Sequence, residues 1–354
     1  MYAMFLCALL LAIPHGTLGQ ADYLANAETA AAPLLFKLYN MSSGLWDTTG
    51  WWQSSNTMTT LGDLAAIDPN AEDSVSAIFA NTHVQAPNTH RDFLNDFYDD
   101  EGWWALGWIN AHDITQEPEY LQTAVDIFED MTGGWGTPCG GIWWDKAHTQ
   151  VVAIANELFF SVAASLANRK PDERDYYLDW AQRSRDWFEK SGLVNAQGVV
   201  NDDLALATCK NPGDTVWSYN QGVILGAYVE LAKADANEAH LTAASSIATA
   251  TIANLTDANQ ILHDVCEPNC DVTAAQFKGV FMRNLRILHN AAPRAEFATF
   301  INKNADSIWA NNRITSGSDT LLGHVWSGPF IPPANATTQS SALDALVAAA
   351  SIAQ

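Results

Sequence analysis

Helical hydrophobic periodicity recurs along almost the whole chain, in two alternating kinds. Stretches rich in Ala, Leu and other small residues fall near 51–66, 98–113, 152–168, 217–233, 274–290 and 338–352. More amphipathic stretches, often aromatic at their far ends, fall near 22–40, 70–82, 118–131, 172–190, 238–254 and 294–311. A helix that is apolar nearly all round belongs inside, and one with a polar face belongs outside. The breaks after the apolar stretches are short and several end in proline, at Pro118, Pro171 and Pro293. Proline stops one helix and suits the first turn of the next. Strand signals are thin. Twelve helices in this order predict an all-α (α/α)6 barrel, a six-hairpin toroid with six inner and six outer helices, in preference to an open solenoid. No Pro-, Gly- or Ser-rich linker divides the sequence, so one domain over residues 20–354 is expected.

The connections are unequal. Those from an outer helix to the next inner one are long, at 83–97, 132–151, 191–216, 255–273 and 312–337. Loops of that length in a compact domain usually carry function. They gather where the inner helices begin, so the site is expected at that mouth of the barrel.

Residues 1–19 hold a short apolar run from Met4 to Ile13, which resembles a secretory signal more than a membrane span. With that segment removed, Cys139, Cys209, Cys266 and Cys270 remain. An even number outside the cell predicts two disulfides from three possible pairings. The four-residue spacing favours Cys266–Cys270 as a loop staple, which leaves Cys139–Cys209. A zinc site is the rival, but there is no CxxC and no histidine at ligand spacing, so no metal and no cofactor are expected. Three sequons, at Asn40, Asn254 and Asn335, fit a eukaryotic secretory route. The C-terminal SSALDALVAAASIAQ lacks the features of a lipid-anchor signal and is expected to form a core helix. Location outside the cell, no membrane anchor and a monomeric state follow as expectations.

The formal charge of −23 repels phosphate backbones and anionic lipid surfaces, so nucleic acid and membranes are excluded as partners. A neutral polymer is not repelled. The fourteen Trp exceed what packing needs, and indole suits stacking on sugar rings.

Three stretches at the expected mouth are both polar and aromatic. The first runs from Phe97 to Trp104 and contains Asp99, Asp100 and Glu101. Acids decorate the first turn of many helices because the macrodipole favours them. Here, however, the helix is an inner one and its first turn faces the mouth. Two carboxyls held side by side lose their protons unequally, which leaves one acid and one carboxylate. Glycoside cleavage needs one of each. The second stretch, Gly133–Trp144, has the look of a tight hairpin presenting Trp143 and Trp144, with Asn156 just beyond as a helix cap or a sugar ligand. The third holds Asp202 and leads to Trp217, Ser218, Tyr219, Asn220 and Gln221, with Ser218 as a possible N-cap and the others as sugar ligands. HExxH, GxSxG, GxGxxG and DDxxD are all absent, which removes the commonest protease, hydrolase, dinucleotide and terpene-cyclase readings.

Together, YDDEGWWALGWI (98–109), CGGIWW (139–144), ANELFF (155–160), SGLVN (191–195), VNDDL (200–204) and WSYNQGV (217–223) resemble glycoside hydrolase family 76, the endo-α-1,6-mannanases and their fungal cell-wall relatives. The likeness runs from about Trp51 to the last helix. It implies an (α/α)6 barrel that cleaves α-1,6-mannan with retention, with Asp99 as nucleophile and Asp100 as acid/base. Trp217, Tyr219, Asn220 and Gln221 would line the sugar subsites with Asp202 beside them, and Trp143 and Asn156 are further candidates for binding the sugar. The partner implied is α-mannan or another mannose-containing cell-wall glycan. Two departures touch only subsite detail: Gly136-Thr137-Pro138 where relatives tend to have an acid, and VNDD for VNDG. The alternatives are a cell-wall transglycosylase acting on the mannose core of glycolipid anchors, and an inactive mannan-binding protein.

Overall fold

The computed structural model describes residues 19–352. The expected signal segment, apart from Gly19, lies outside the described residues. Six inner helices run α2 (Trp51–Ala65), α4 (Tyr98–Thr115), α6 (Ala153–Arg169), α8 (Ser218–Asp235), α10 (Phe277–Ala291) and α12 (Ala336–Ile352). Six outer helices alternate with them: α1 (Gln20–Phe36), α3 (Pro69–Gln85), α5 (Pro118–Thr132), α7 (Arg174–Ser191), α9 (Ala239–Asn254) and α11 (Ala295–Asn311). Each inner helix packs on two other inner helices, and α12 closes the circle against α2. That closure is what separates a barrel from a solenoid. It gives the (α/α)6 barrel expected from the alternation.

Close approach of the inner helices depends on glycine at two crossings. A Cβ on Gly222 of α8 would lie 2.6 Å from the Cα of Phe281 on α10, and one on Gly279 of α10 would lie 2.6 Å from the Cα of Ser341 on α12. The inner helices are buried along nearly their whole length, as with Ala153–Ala167 of α6. Outer helices bury one stripe only, such as Tyr120, Ala124, Ile127, Phe128 and Met131 of α5.

All six outer-to-inner connections are long, the one before α2 included, and three short antiparallel strand pairs lie among them. In the first connection, β1 (Tyr39–Asn40) pairs with β2 (Leu45–Trp46), so the outer helix ends at Phe36 rather than near residue 40. β3 (Val151–Val152) pairs with β4 (Asp203–Leu204) and joins two different loops. β5 (Arg313–Ser316) and β6 (Asp319–Leu322) form a hairpin turning at Gly317, whose φ is +62°. The expected pairings Cys139–Cys209 and Cys266–Cys270 are both formed, with Cα separations of 5.1 and 4.8 Å. The first ties together the same two loops as β3–β4.

Long loops bring many backbone N–H groups to a buried helix end, and each needs an acceptor. The fourth residue of an inner helix supplies it repeatedly. Ser54 accepts from Trp46 N (3.3 Å), Glu101 from Asn95 N (3.2 Å), Asn156 from Ile142 N (2.8 Å), Gln221 from Val200 N (2.8 Å) and Gln339 from Leu322 N (2.9 Å). In α10 the fourth residue is Val280, and Asn304 of α11 takes over, accepting from Leu262 N at 2.9 Å. Gln221→Met removes the pairing with both polar groups of Val200 and should destabilise the fold by roughly 2 kcal/mol or more, measured by denaturant unfolding.

Candidate active site

A cleft of about 350 Å³ opens at the mouth where the inner helices begin. The second residue of an inner helix points into it repeatedly: Trp52 of α2, Asp99 of α4, Ile154 of α6 and Tyr219 of α8. One turn further along α4, Trp103 forms part of the lining, and Phe277 of α10 joins it. The aromatics make a continuous wall. Trp103 stacks on Trp52 (5.6 Å between centroids), Trp52 lies 6.2 Å from Phe277, and Phe277 stacks on Tyr219 at 3.8 Å. Phe97 and Trp144 contribute a second aromatic pair, 4.9 Å apart.

Asp99 and Asp100 sit in the first turn of α4 and are half-buried in the cleft. The indole N–H of Trp144 donates to Asp99 Oδ2 at 3.0 Å, while Oδ1 has no hydrogen-bond partner. Asn95 Nδ2 donates to Asp100 Oδ2 at 2.6 Å. Burial, reinforced by the neighbouring Asp100, pushes Asp99 up to about 8; burial, eased by Asn95, pushes Asp100 up to about 6. The pair therefore shares one proton at neutral pH.

Asp202 also lines the cleft. Its Oδ1 accepts from Asn220 Nδ2 at 2.9 Å and from Tyr219 OH at 3.4 Å. Its backbone is fixed by the loop pairing, since Ala153 N donates to Asp202 O at 2.7 Å. Burial raises the carboxyl of Asp202, and Asn220 pulls it back. Beneath lies Glu157, fully buried with both oxygens unpaired; burial and the nearby Asp202 hold it well above the carboxylate range.

Of the residues singled out in the sequence, the structure brings Asp99, Asp100, Asp202 and Tyr219 together on the cleft. Others are placed differently. Trp143 stacks on His148 at 4.8 Å, and its neighbour Trp144 lines the cleft. The amide of Asn156 is spent on Ile142 N, Ile142 O and Val152 O, and that of Gln221 on Val200 N, Val200 O and Trp217 O. Both are loop anchors with no donor left for a sugar, and Asn156 is no cap. Asn220 is fully buried behind Asp202 and orients it. Trp217 is the N-cap residue of α8 and packs edge-on against Phe277 at 5.4 Å, outside the cleft lining. Ser218 is not the cap either. Its N–H and hydroxyl donate to Asp264, at 2.9 and 2.6 Å.

Trp52, Trp103, Gln150, Thr273 and Phe277 line the cleft without having been singled out. For Trp52 and Trp103 the signal was available in their helical register relative to Asp99. Gln150 and Thr273 lie in loops, where no periodicity marks them. Among the described residues no group of three or more His, Cys, Asp or Glu has a metal-binding arrangement.

The buried acids also set how stability varies with pH. Asp99 is raised to about 8, Asp344 to about 7 and Asp264 to about 6, each mainly by burial. Such groups keep protons in the fold that the unfolded chain has already released, so the native state binds more protons and loses stability as pH rises. The melting temperature should therefore fall between pH 5 and pH 8, in a calorimetric series at constant ionic strength. The net charge of −23 acts in the same direction.

Comparison with known proteins agrees with the barrel. A mannan endo-1,6-α-mannosidase from Candida albicans is 26% identical over 221 residues, covering 56% of this chain and 48% of that protein. Its Candida glabrata counterpart is 25% identical over 282 residues, covering 72% and 62%. The chain spans about half the length of most of the curated relatives it matches. Among solved structures, the α-1,6-mannanase of Salegentibacter sp. HEL1_6 superposes with a TM-score of 0.79 at 22% identity, covering 93% of this chain and 99% of that one. A variant of that enzyme with two consecutive aspartates changed to asparagine is inactive and was solved with α-1,6-mannotriose. Dfg5 from Chaetomium thermophilum, solved with glucosamine, superposes with a TM-score of 0.80 at 19% identity, covering 97% and 93%. Residues 23–354 match glycosyl hydrolase family 76 from the first helix to the last, and this chain belongs to that family.

Proposed function

We propose that the cleft hydrolyses α-1,6-linked mannan at internal bonds and with retention of configuration. The observation that carries this reading is the Asp99–Asp100 pair, which shares one proton inside an aromatic cleft. Asp99 is the nucleophile. Trp144 fixes one of its oxygens and leaves the other without a partner to attack the anomeric carbon. Asp100 protonates the departing oxygen and then activates water. In productive binding the shared proton lies on Asp100, where the glycosidic oxygen accepts it. Asp202, held by Tyr219 and Asn220, binds sugar hydroxyls, and the Trp52–Phe277–Tyr219 wall carries the apolar ring faces. The names of the curated relatives support mannan as the substrate.

The same reading places the protein outside the cell as a monomer. Two disulfides fit an oxidising compartment, and no helix among the described residues is long and apolar enough to cross a membrane.

The test is to incubate the protein with unbranched α-1,6-mannan and follow new reducing ends by proton NMR. Mannose oligomers of several lengths, appearing first as the α-anomer, are expected. Initial β-anomer would overturn retention. Transfer to a β-glucan acceptor in place of water would favour the transglycosylase, and absence of any product would favour the binding protein.

A further inference from the structure

Asp100 meets the loop before α4 through Asn95, and that asparagine is held at each of its polar ends. Its Nδ2 donates to Asp100 Oδ2 at 2.6 Å, its Oδ1 accepts from Phe97 N at 2.9 Å, and its own N–H donates to Glu101 Oε1 at 3.2 Å. Turning the amide over would set its NH2 against the Phe97 N–H, donor against donor, and its carbonyl oxygen against Asp100. The amide therefore has one orientation, in which Asn95 faces Asp100 as a donor only.

The frame that holds Asn95 lies outside the cleft. Glu101 is fully buried, 2.7 Å from Lys146 Nζ, and the same ammonium lies 2.8 Å from Asp130 of α5. Lys146 N donates to Asp96 O and Tyr98 N to Trp144 O, both at 2.9 Å. Residues 95–98 are thus clamped between the first turn of α4 and the 132–151 loop, whose Trp144 also holds Asp99. Asn95, Glu101 and Lys146 themselves do not line the cleft.

A protonated carboxyl has two unlike oxygens, one that accepts and one that carries the proton. The carbonyl oxygen is the better acceptor, so a donor fixed against Oδ2 makes Oδ2 the carbonyl and leaves the proton to Oδ1. The remaining charged groups do not compete for this choice. Asp99 beside it on α4 and Asp202 on the cleft wall are acceptors when ionised, and Glu101 and Lys146 pair with each other behind Asn95.

We infer that Asn95 is a positioning residue of the reaction: it holds Asp100 by Oδ2, so that Oδ1 alone presents the proton to the glycosidic oxygen. This rests on the reading of Asp100 as the acid/base. The same contact favours the ionised carboxyl against the burial that opposes it, so its loss raises Asp100 further.

Two variants separate the donor from the turn. Asn95→Ala removes the donor together with the acceptor for Phe97 N, while Asn95→Asp keeps that acceptor and replaces the donor with a carboxylate. Followed by NMR of the labelled carboxyl, the titration of Asp100 should rise by roughly one pH unit in Asn95→Ala and by more in Asn95→Asp. In both, kcat/KM for α-1,6-mannan should fall about ten- to hundredfold. For a dinitrophenyl α-1,6-mannobioside, whose leaving group needs no proton, it should stay within about threefold. An Asp100 that titrates unchanged in both variants, or a mannan rate that neither lowers, would overturn the proposal. The titration needs no turnover, so it judges the hold of Asn95 apart from the reaction. A shifted Asp100 with both substrates slowed alike would instead refute Asp100 as the acid, and a native chain that cleaves no mannan would refute the reading of the cleft.

Discussion

Asp99→Asn should lower the turnover of α-1,6-mannan by about a thousandfold or more while leaving the affinity for mannotriose within about threefold. Asparagine keeps the shape of the side chain and still accepts the Trp144 indole N–H through its carbonyl oxygen, so the cleft stays formed. What is lost is the attacking oxygen. The same substitution should leave Asp100 raised, because burial is the cause of its rise. In the native enzyme, kcat/KM should follow a bell with limbs near about 6 and about 8, the values at which the pair gives up its protons. Below the lower limb both carboxyls are protonated and no nucleophile remains; above the upper limb both are ionised and no acid remains. A profile still rising at pH 4 would contradict the buried pair.

The barrel was legible in the sequence because each of its determinants is local. Helical periodicity, the small residues of the inner stretches and the prolines between hairpins all act within a few residues, and the number of hairpins then decides closure. The site was legible only in part. Asp99, Asp100, Asp202 and Tyr219 were recognised by residue type, yet Asn156 and Gln221 have the same chemical character and serve loops instead. Separating them requires the exact start of each inner helix. Position two faces the cleft, as with Trp52, Asp99, Ile154 and Tyr219, and position four answers an incoming loop N–H, as with Ser54, Glu101, Asn156, Gln221 and Gln339. Two residues along a helix turn the side chain by about 200°, so a small error in the start exchanges ligand for anchor. Trp143 and Trp144 pose the same problem in extended backbone. Trp144 N donates to Gln150 O and its carbonyl accepts from Tyr98 N, which sends its indole to the cleft and leaves Trp143 against His148. That register is set by α4 and by the far side of the loop, not by the CGGIWW segment itself.

Asp100→Asn tests the division of labour between the two acids, which share one proton. Loss of the acid should slow mannan cleavage by about 10²–10⁴-fold, because the departing sugar oxygen must then leave unprotonated. A substrate that needs no proton should escape most of that loss, so a dinitrophenyl α-1,6-mannobioside should still be attacked rapidly by Asp99. The covalent intermediate then waits for a base that is no longer there. Added azide, which needs none, should restore turnover and give an α-mannosyl azide, since two inversions retain configuration. With Asp99→Asn the same azide has no intermediate to meet. It attacks the anomeric carbon directly and gives the β-azide. If the two variants exchange products, Asp99 is the acid and Asp100 the nucleophile. If neither variant is rescued and both still bind mannotriose, the pair does not divide a covalent mechanism at all.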